Sequence, residues 1–175
     1  QCGLFDQVIV STDDEEIADV SKDLGALVPF MRPASLSDDH AGTLAVMRHA
    51  VQACRALGWV PDLFCCLYAT APFVLASDLS AGLLAMSDPE VAYAISVTSF
   101  GFPVQRAIRV GEGGEMSPVW PEAIPMRSQD LEPLFHDAGQ FYWGRSDAFA
   151  AERSFFAQHS RAIVLPRERV QDIDT

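Results

Sequence analysis

The chain contains 175 residues, 49% of them hydrophobic and 21% charged, which suits one globular domain with a buried core and is too short for two. Twelve Lys and Arg against 24 Asp and Glu give a net charge of −12, so the field of the whole molecule repels nucleic acid and anionic membranes. An anionic substrate must therefore be held locally, by clustered arginines or by a metal ion. The longest apolar run, Leu63–Ala76, is interrupted by Thr70 and Pro72 and is too short to span a bilayer.

Four cysteines without CxxC spacing, Cys2, Cys54, Cys65 and Cys66, predict free thiols that pack as small hydrophobes. A vicinal disulfide or a metal site at the adjacent pair is the alternative. Reduced thiols are typical of the cytoplasm, so we expect a cytoplasmic protein.

Strand and helix patterns alternate through the first sixty residues. The β-branched run Gln7–Thr12 predicts a strand, and Asp13 or Asp14 predicts the cap of a helix that ends at Gly25. Leu27–Phe30 predicts a second short strand. After a polar loop, apolar residues recur at helical spacing up to Gly58: Leu44, Met47, Val51, Cys54 and Leu57.

Two buried strands follow, at Leu63–Tyr68 and Ala92–Thr98, separated by a helix that Ser77 is expected to cap and that runs towards Ser87. Repeated βα units imply an α/β fold, a doubly wound and mostly parallel sheet with right-handed crossovers. The whole chain is expected to form one domain.

The pattern changes beyond Phe100. Two short strand patterns, Arg106–Val110 and Met116–Trp120, flank the turn Gly111–Gly114 and predict a hairpin with a flexible tip. We expect this hairpin to lie in a small projecting lobe, roughly within residues 103–160. Three further elements are predicted after it: a strand at Gln140–Trp143, a helix at Ser146–Glu152 and a strand at Ala162–Leu165.

Two aspartates, Asp172 and Asp174, lie one residue apart near the end of the chain. On an extended segment they project to the same side, and two neighbouring carboxylates are hard oxygen ligands that suit Mg²⁺. Solvated charges on a frayed end are the alternative interpretation. No Ser-His-Asp or Cys-His nucleophile arrangement is evident, and the sequence singles out no general base.

Five motifs together resemble the N-acylneuraminate (CMP-nonulosonic acid) cytidylyltransferase family, and within it the pseudaminate branch. They are FDQVIVSTDDEEIADV (5–20), RPASLSDDHAGT (32–43), CCLYATAPF (65–73), FHDAGQFYW (135–143) and DIDT (172–175). The resemblance covers essentially the whole chain. It implies a Rossmann-like nucleotide-diphospho-sugar transferase fold, a homodimer that joins CTP to a nonulosonic acid, and a role in bacterial surface-glycan synthesis.

The resemblance also implies the nucleotide site. Its Arg-Pro loop surrounds cytosine and ribose with Arg32, Ala41 and Thr43. Ser11 and Asp13 lie in the Ser-Thr-Asp turn at the carboxyl end of a predicted strand, the usual ligand position in an open α/β sheet. Asp172 and Asp174 are implied to hold Mg²⁺ and to be catalytic.

The sugar site is implied by departures from the sialate pattern. Tyr68 stands where sialate enzymes have glutamine, His136 where they have arginine, and Ala138-Gly139 where they have Asn-Gly. Arg127 is a candidate partner for the sugar carboxylate, because guanidinium pairs bidentately with carboxylate. The alternative for Arg127 is an ordinary surface arginine, and the alternative for His136 is a core histidine. The implied sugar-binding residues are Tyr68, Arg127, Gln129, His136, Gln140, Tyr142, Phe155 and Phe156.

Phe155 and Phe156 are implied to reach the neighbouring subunit's sugar pocket as an exposed aromatic pair, ordinary packing being the alternative. Both ends of the chain resemble cut ends, because the family's opening strand, Gly-rich phosphate loop and helix are not present. We expect a fragment of a longer enzyme, which leaves open whether the fragment alone is active. The alternatives are an N-acetylneuraminate or legionaminate enzyme, or an inactive protein that binds only nucleotide or a partner subunit.

Overall fold

The computed structural model describes residues 2–38, 40–171 and 173. Four helices lie at Glu15–Asp23 (α1), Thr43–Ala56 (α2), Ala76–Ala85 (α3) and Ser146–Ala150 (α4). Six strands lie at Leu63–Leu67 (β1), Tyr93–Ser99 (β2), Ile108–Val110 (β3), Met116–Pro118 (β4), Phe135–Arg145 (β5) and Ser160–Val164 (β6). None of the helices in these described residues is both long and apolar enough to cross a membrane.

The main sheet has the strand order β1-β5-β2-β6. β6 is parallel to β2, whereas β5 runs antiparallel to both of its neighbours, so three strands share one direction and the long central strand opposes them. The predicted α/β class is confirmed. The direction of β5 was not predicted, because a strand buried on both faces is equally apolar in a parallel or an antiparallel neighbourhood.

Helices cover both faces of this sheet. On one face, a core cluster that includes Met47, Tyr142 and Phe149 packs against α2 and α4. On the other, Phe141 and Trp143 belong to a cluster that includes residues of α3. The alternation of Phe141, Tyr142 and Trp143 between the two clusters follows from the two-residue period of a strand.

The first two predicted strands pair over a single parallel bridge, between Ile9 and Leu27. The Val10 amide donates to the Leu27 carbonyl at 2.8 Å, and the Leu27 amide to the Val8 carbonyl at 2.9 Å. The positions of the two predicted strands were correct, but their predicted lengths were wrong. No further strand among the described residues lies beside them to extend the pairing. Asp14 caps α1 as expected, accepting from the Ile17 amide at 2.9 Å.

The cap predicted for α3 was wrong. The helix begins at Ala76 with Leu75 at its N-cap, and no side chain caps it. Ser77 therefore lies inside the first turn, one residue before Asp78. The strands β3 and β4 form a separate two-stranded sheet, as expected for a hairpin. β5 lies within the range predicted for the projecting lobe but belongs to the main sheet. Of these three strands, only the two of the hairpin lie outside the main sheet.

Strand β5 carries an irregularity that shapes the candidate site. Its register against β2 shifts between the pairs Ile95–Tyr142 and Val97–Asp137, so that Ser96 alone faces residues 138–141. Gly139 lies in this segment with φ of +60°, a conformation that glycine adopts without strain. The Ser96 hydroxyl fills the gap, accepting from the Phe141 amide at 3.0 Å and lying 3.1 Å from the Phe141 carbonyl oxygen. The bulge interrupts the alternation of side chains along β5, so the residues on its two sides no longer follow one regular pattern of faces.

Candidate active site

The two loops predicted to hold the nucleotide are joined through Arg32. Its backbone amide donates to the Thr12 carbonyl at 2.7 Å, and its guanidinium lies 3.3 Å from Asp13 Oδ1 and 3.1 Å from Ser37 Oγ. Ser11 Oγ is buried without a hydrogen-bond partner among the described residues. A buried hydroxyl in this state is a feature that a polar ligand could satisfy.

The polar loop before α2 carries the other two predicted nucleotide residues. The Ala41 amide donates to the Asp38 carbonyl at 3.1 Å. Thr43 is the first residue of α2, with Gly42 at the N-cap, and its hydroxyl hydrogen-bonds to the hydroxyl of Tyr68. Thr43 from the nucleotide set and Tyr68 from the sugar set are therefore in direct contact.

Tyr68 connects this loop to β5. Its ring packs against the Tyr142 ring with a centroid distance of 5.5 Å, and the Tyr142 hydroxyl donates to Asp137 Oδ2. Burial raises the pKa of Tyr68, and burial together with the Asp137 carboxylate raises the pKa of Tyr142. Both phenols therefore stay protonated at neutral pH.

His136 lies at the surface beside a cleft. Its ring is exposed and tilts against Phe100 with centroids 4.9 Å apart, so the alternative of a core histidine is wrong. Phe100 also lines a half-open cleft of about 290 Å³ between residues 99–105 and 128–134, where Gln129 lies as well. Phe100 thus connects His136 with the cleft that contains Gln129.

Arg127 immediately precedes the short 3₁₀ turn at Ser128–Asp130. Its side chain is exposed and has no ion-pair partner in the part of the chain that the structure describes. The guanidinium is therefore available to an anion, and its pairing with the sugar carboxylate stays a prediction.

Gln140, predicted to bind the sugar, lies in the interior of the protein. Its side chain is 1% exposed, and its Nε2 donates to the Arg169 carbonyl at 2.6 Å. The predicted direct contact of Gln140 with a sugar is wrong for this conformation, because the side chain has no surface to offer. It instead holds the segment that leads towards Asp172. Tyr142 is also buried, at 4% exposure, and reaches the site through Tyr68 and Asp137.

Phe155 and Phe156 differ, although they are adjacent. Phe155 stacks on Tyr142 with centroids 4.8 Å apart and meets Tyr93 edge-on at 5.0 Å, whereas Phe156 is 66% exposed. The expectation of an exposed pair is therefore wrong for Phe155, which supports the ring of Tyr142 from within its own chain. Contact of Phe156 with a second subunit stays a prediction.

This difference gives a stability prediction. Phe155→Ala is expected to lower the free energy of unfolding by about 2 kcal/mol, because it opens a cavity beside Tyr142 and Tyr93. Phe156→Ala, the matched control, is expected to change it by less than about 0.5 kcal/mol but to shift the protein towards monomer. Urea unfolding and light scattering measure the two effects; equal stability of both variants would contradict the assignment of Phe155 to the core.

Asp172 and Asp174 lie outside the described residues. Among the described residues, no group of three or more His, Cys, Asp or Glu could hold a metal. The segment just before the acidic pair is well anchored, because the Arg169 guanidinium binds both carboxylate oxygens of Asp78 at 2.5 and 3.2 Å and both side chains are largely buried, at 24% and 13% exposure.

Comparison with known proteins gives the family. The family model described as cytidylyltransferase matches residues 1–104. A pseudaminic acid cytidylyltransferase of Campylobacter jejuni is 39% identical over 173 residues, which are 99% of this chain and 75% of that protein. The chain belongs to the cytidylyltransferase family. The family resemblance seen in the motifs is confirmed, and the family is one of nucleotidyltransferases.

Two further comparisons agree with this membership. A Helicobacter pylori protein named pseudaminic acid cytidylyltransferase and UDP-2,4-diacetamido-2,4,6-trideoxy-beta-L-altropyranose hydrolase is 32% identical over 171 residues, 97% of this chain and 32% of that protein. The solved structure of CMP:2-keto-3-deoxy-manno-octonic acid synthetase in complex with CTP matches with a TM-score of 0.63 at 15% identity. That match covers 94% of this chain and 74% of the other, and it supports the fold.

In this cytidylyltransferase, sequence reasoning missed two groups of the candidate site. Asp78 is an acidic residue in the first turn of α3, and Arg169 is one of several basic residues near the end of the chain, so neither was singled out from the sequence. No local pattern connects residues 91 positions apart. Asp137 lies inside the motif FHDAGQFYW and had no predicted role. Gly139, two residues later, was the available signal, since a glycine in a strand often marks a bulge.

Proposed function

We propose that this cytidylyltransferase transfers CMP from CTP to pseudaminic acid, giving the CMP-sugar and pyrophosphate. The observation that carries the proposal is the 39% identity to a pseudaminic acid cytidylyltransferase over 99% of the chain. The presence of Tyr68 and His136 at the positions expected to contact the sugar supports the same choice. N-acetylneuraminate and legionaminate are the sugars against which it must be tested.

The nucleotide is held by the joined loops. Arg32, with its guanidinium oriented by Asp13 and Ser37, contacts the cytidine together with Ala41 and Thr43. The unpartnered Ser11 hydroxyl supplies a further polar contact. Because the chain carries a net charge of −12, such local cationic and polar groups are needed to hold a triphosphate.

The sugar lies between Tyr68, His136 and the cleft beyond Phe100. Arg127, free of internal partners within the described residues, binds the C1 carboxylate of the sugar bidentately. Gln129 contacts a polar substituent from the cleft wall. Tyr142 and Gln140 act indirectly, by fixing Tyr68 and the segment before Asp172.

Catalysis is a direct displacement in which the anomeric hydroxyl of the sugar attacks the α-phosphorus of CTP in line and pyrophosphate leaves. Asp172 and Asp174 would hold Mg²⁺, a fit supported by two hard carboxylate donors and by the anchored segment before them. Such an ion neutralises charge on the phosphate oxygens when bound. The residues of the chain itself contribute mainly by positioning the two substrates.

The Asp78–Arg169 pair positions this acidic segment. Asp78→Ala is expected to lower turnover about tenfold and to raise the Mg²⁺ concentration that gives half-maximal rate, because Arg169 loses its anchor. Initial rates of pyrophosphate release against Mg²⁺ concentration measure both. Asp147→Ala is the control, since it breaks the 2.6 Å pair with Arg55, in which Asp147 is 93% exposed. Unchanged Mg²⁺ dependence in Asp78→Ala would show that the pair is only structural.

The protein is proposed to form a homodimer in the cytoplasm. Support comes from exposed apolar residues on the hairpin and beyond: Val110 at 66%, Met116 at 72% and Phe156 at 66% exposure. Exposed apolar surface of this kind often marks an interface, and twofold dimers are the commonest homo-oligomers.

The proposed reaction is tested by product analysis of the gene product that contains this chain. Incubation with CTP, Mg²⁺ and pseudaminic acid is expected to give equal amounts of pyrophosphate and a CMP-sugar, identified by mass spectrometry. The Mg²⁺-free and sugar-free mixtures are the controls. Pyrophosphate release without a CMP-sugar, or no reaction with any nonulosonic acid, would contradict the proposal.

A further inference from the structure

We propose that the guanidinium of Arg167 binds an anionic group of a substrate, a carboxylate or a phosphate, at the edge of the candidate site. This inference rests on the proposed function, because it adds one substrate contact to the same site. Arg167 was not singled out from the sequence. It opens the short 3₁₀ turn at Arg167–Arg169, shortly before Asp172.

Two parallel strands determine where Arg167 lies. β2 and β6 run in the same direction, and beyond β6 the Leu165 amide donates to the Val97 carbonyl at 2.8 Å. The Thr98 hydroxyl in turn donates to the Leu165 carbonyl at 3.0 Å. The chain that leaves β6 therefore stays beside the carboxyl end of β2. In an open α/β sheet, the carboxyl ends of the strands are the usual place for a ligand.

Gly101, just after β2, makes room for the guanidinium. A Cβ atom at Gly101 would lie 2.3 Å from Arg167 Nη1 and 2.4 Å from Arg167 Cζ, much closer than van der Waals contact. The φ angle of Gly101 lies outside the left-handed region, so the backbone conformation does not call for glycine. The guanidinium thus lies directly on the Gly101 backbone, in space that any larger residue would fill.

The Arg167 guanidinium has no partner of its own. Within the described residues it makes no ion pair or hydrogen bond, although the chain contains 24 acidic residues against 12 basic ones. Arg169, two positions later, is different, because Asp78 holds its guanidinium. Arg167 therefore keeps its donors for a ligand, and a planar guanidinium binds two oxygens of a carboxylate or a phosphate side by side.

The contacts of Gly101 and its neighbour connect this guanidinium to the candidate site. Gly101 belongs to one wall of the cleft of about 290 Å³, and Phe100 contacts the His136 ring. Arg127, also without an ion-pair partner in the described chain, directly precedes the other wall. The two walls of one cleft are therefore each bordered by an available guanidinium. A chain with a net charge of −12 needs such local cations to hold an anionic substrate.

The test separates the two anions that share this chemistry, the phosphates of CTP and the carboxylate of the sugar. Calorimetry with the gene product that contains this chain gives the dissociation constant of CTP alone, and that of pseudaminic acid in the presence of α,β-methylene-CTP. Arg167→Gln is expected to weaken one of the two ligands about tenfold and to leave the other within about twofold. The weakened ligand identifies the anion that Arg167 binds.

Gly101→Ala tests the placement of the guanidinium without removing its charge. The added methyl group takes the space in which the guanidinium lies, and the end of a flexible side chain can move aside. The melting temperature should therefore change little, whereas the affinity for the same ligand should fall about threefold or more. Arg161→Gln is the matched control. It removes the same charge from the other end of β6, where Arg161 pairs with Asp88 at 3.8 Å, and both dissociation constants should stay unchanged.

Three results would overturn the inference. In Arg167→Gln, unchanged dissociation constants, or an equal loss for both ligands, would exclude a contact with one anion. A loss in Arg167→Gln without any loss in Gly101→Ala would contradict the placement on Gly101. An equal loss in Arg161→Gln would reduce the effect to net charge. Binding is measured apart from turnover, so absence of a CMP-sugar product, which contradicts the proposed function, remains distinguishable from these results.

Discussion

Replacing Asp172 or Asp174 by asparagine is expected to lower CTP-dependent pyrophosphate release about a hundredfold or more, which corresponds to ~2.7 kcal/mol of lost transition-state stabilisation. An amide keeps the shape of the side chain but loses the charge that a divalent cation requires. Initial rates at saturating CTP and sugar, with the gene product that contains this chain, measure the effect.

The control for this experiment is Glu168→Gln. Glu168 is an exposed carboxylate in the 3₁₀ turn at Arg167–Arg169, close in sequence to the acidic pair and outside it. Its neutralisation tests whether any loss of negative charge near the end of the chain slows the reaction. Near-normal turnover in both aspartate variants, or an equal loss in Glu168→Gln, would show that the metal assignment is wrong.

The type of each main element could be predicted because its sequence carries a strong periodic signal. In α2, the predicted apolar positions Met47, Val51 and Cys54 are buried against the sheet. In β2, the strand predicted to be buried is buried throughout from Tyr93 to Thr98. The hairpin was predicted from a glycine-rich turn between two short strand patterns, and such turn chemistry is local.

Pairing and burial could not be predicted in the same way. The direction of β5 depends on the strands with which it pairs, and no residue of β5 specifies these partners. Gln140 was predicted to contact the sugar and Phe155 to belong to an exposed aromatic pair, whereas the bulge opposite Ser96 buries Gln140 and the cluster around Tyr93 partly buries Phe155. A periodic pattern specifies an element, but the neighbours that cover it depend on distant parts of the chain.

In the candidate site, too, local motifs could be interpreted from the sequence, whereas contacts between distant residues could not be predicted. The motifs assigned Arg32 and Asp13 to one predicted site and Tyr68 and Tyr142 to the other, and the structure brings the members of each pair into contact. The contacts that join different parts of the chain, such as Thr43 with Tyr68 and Asp78 with Arg169, link residues far apart in sequence. These contacts determine how the two substrate sites are connected.

The choice of sugar has the other large expected effect. With CTP fixed, kcat/KM for pseudaminic acid is expected to exceed that for N-acetylneuraminic acid about a hundredfold or more. Polar groups arranged for one set of substituents, here Tyr68 and His136, are left unpaired by the other sugar, and a polar group that the bound ligand removes from water without giving it a partner is costly. Tyr68→Gln, which restores the residue of the sialate pattern, is expected to narrow the difference.

The most direct test of the proposed function is therefore the ratio of kcat/KM for pseudaminic acid and N-acetylneuraminic acid, measured with the same enzyme preparation and saturating CTP. A ratio of about a hundred or more in favour of pseudaminic acid is the result we predict. Comparable values for the two sugars, or a preference for N-acetylneuraminic acid, would contradict the proposed substrate while leaving the membership in the cytidylyltransferase family intact.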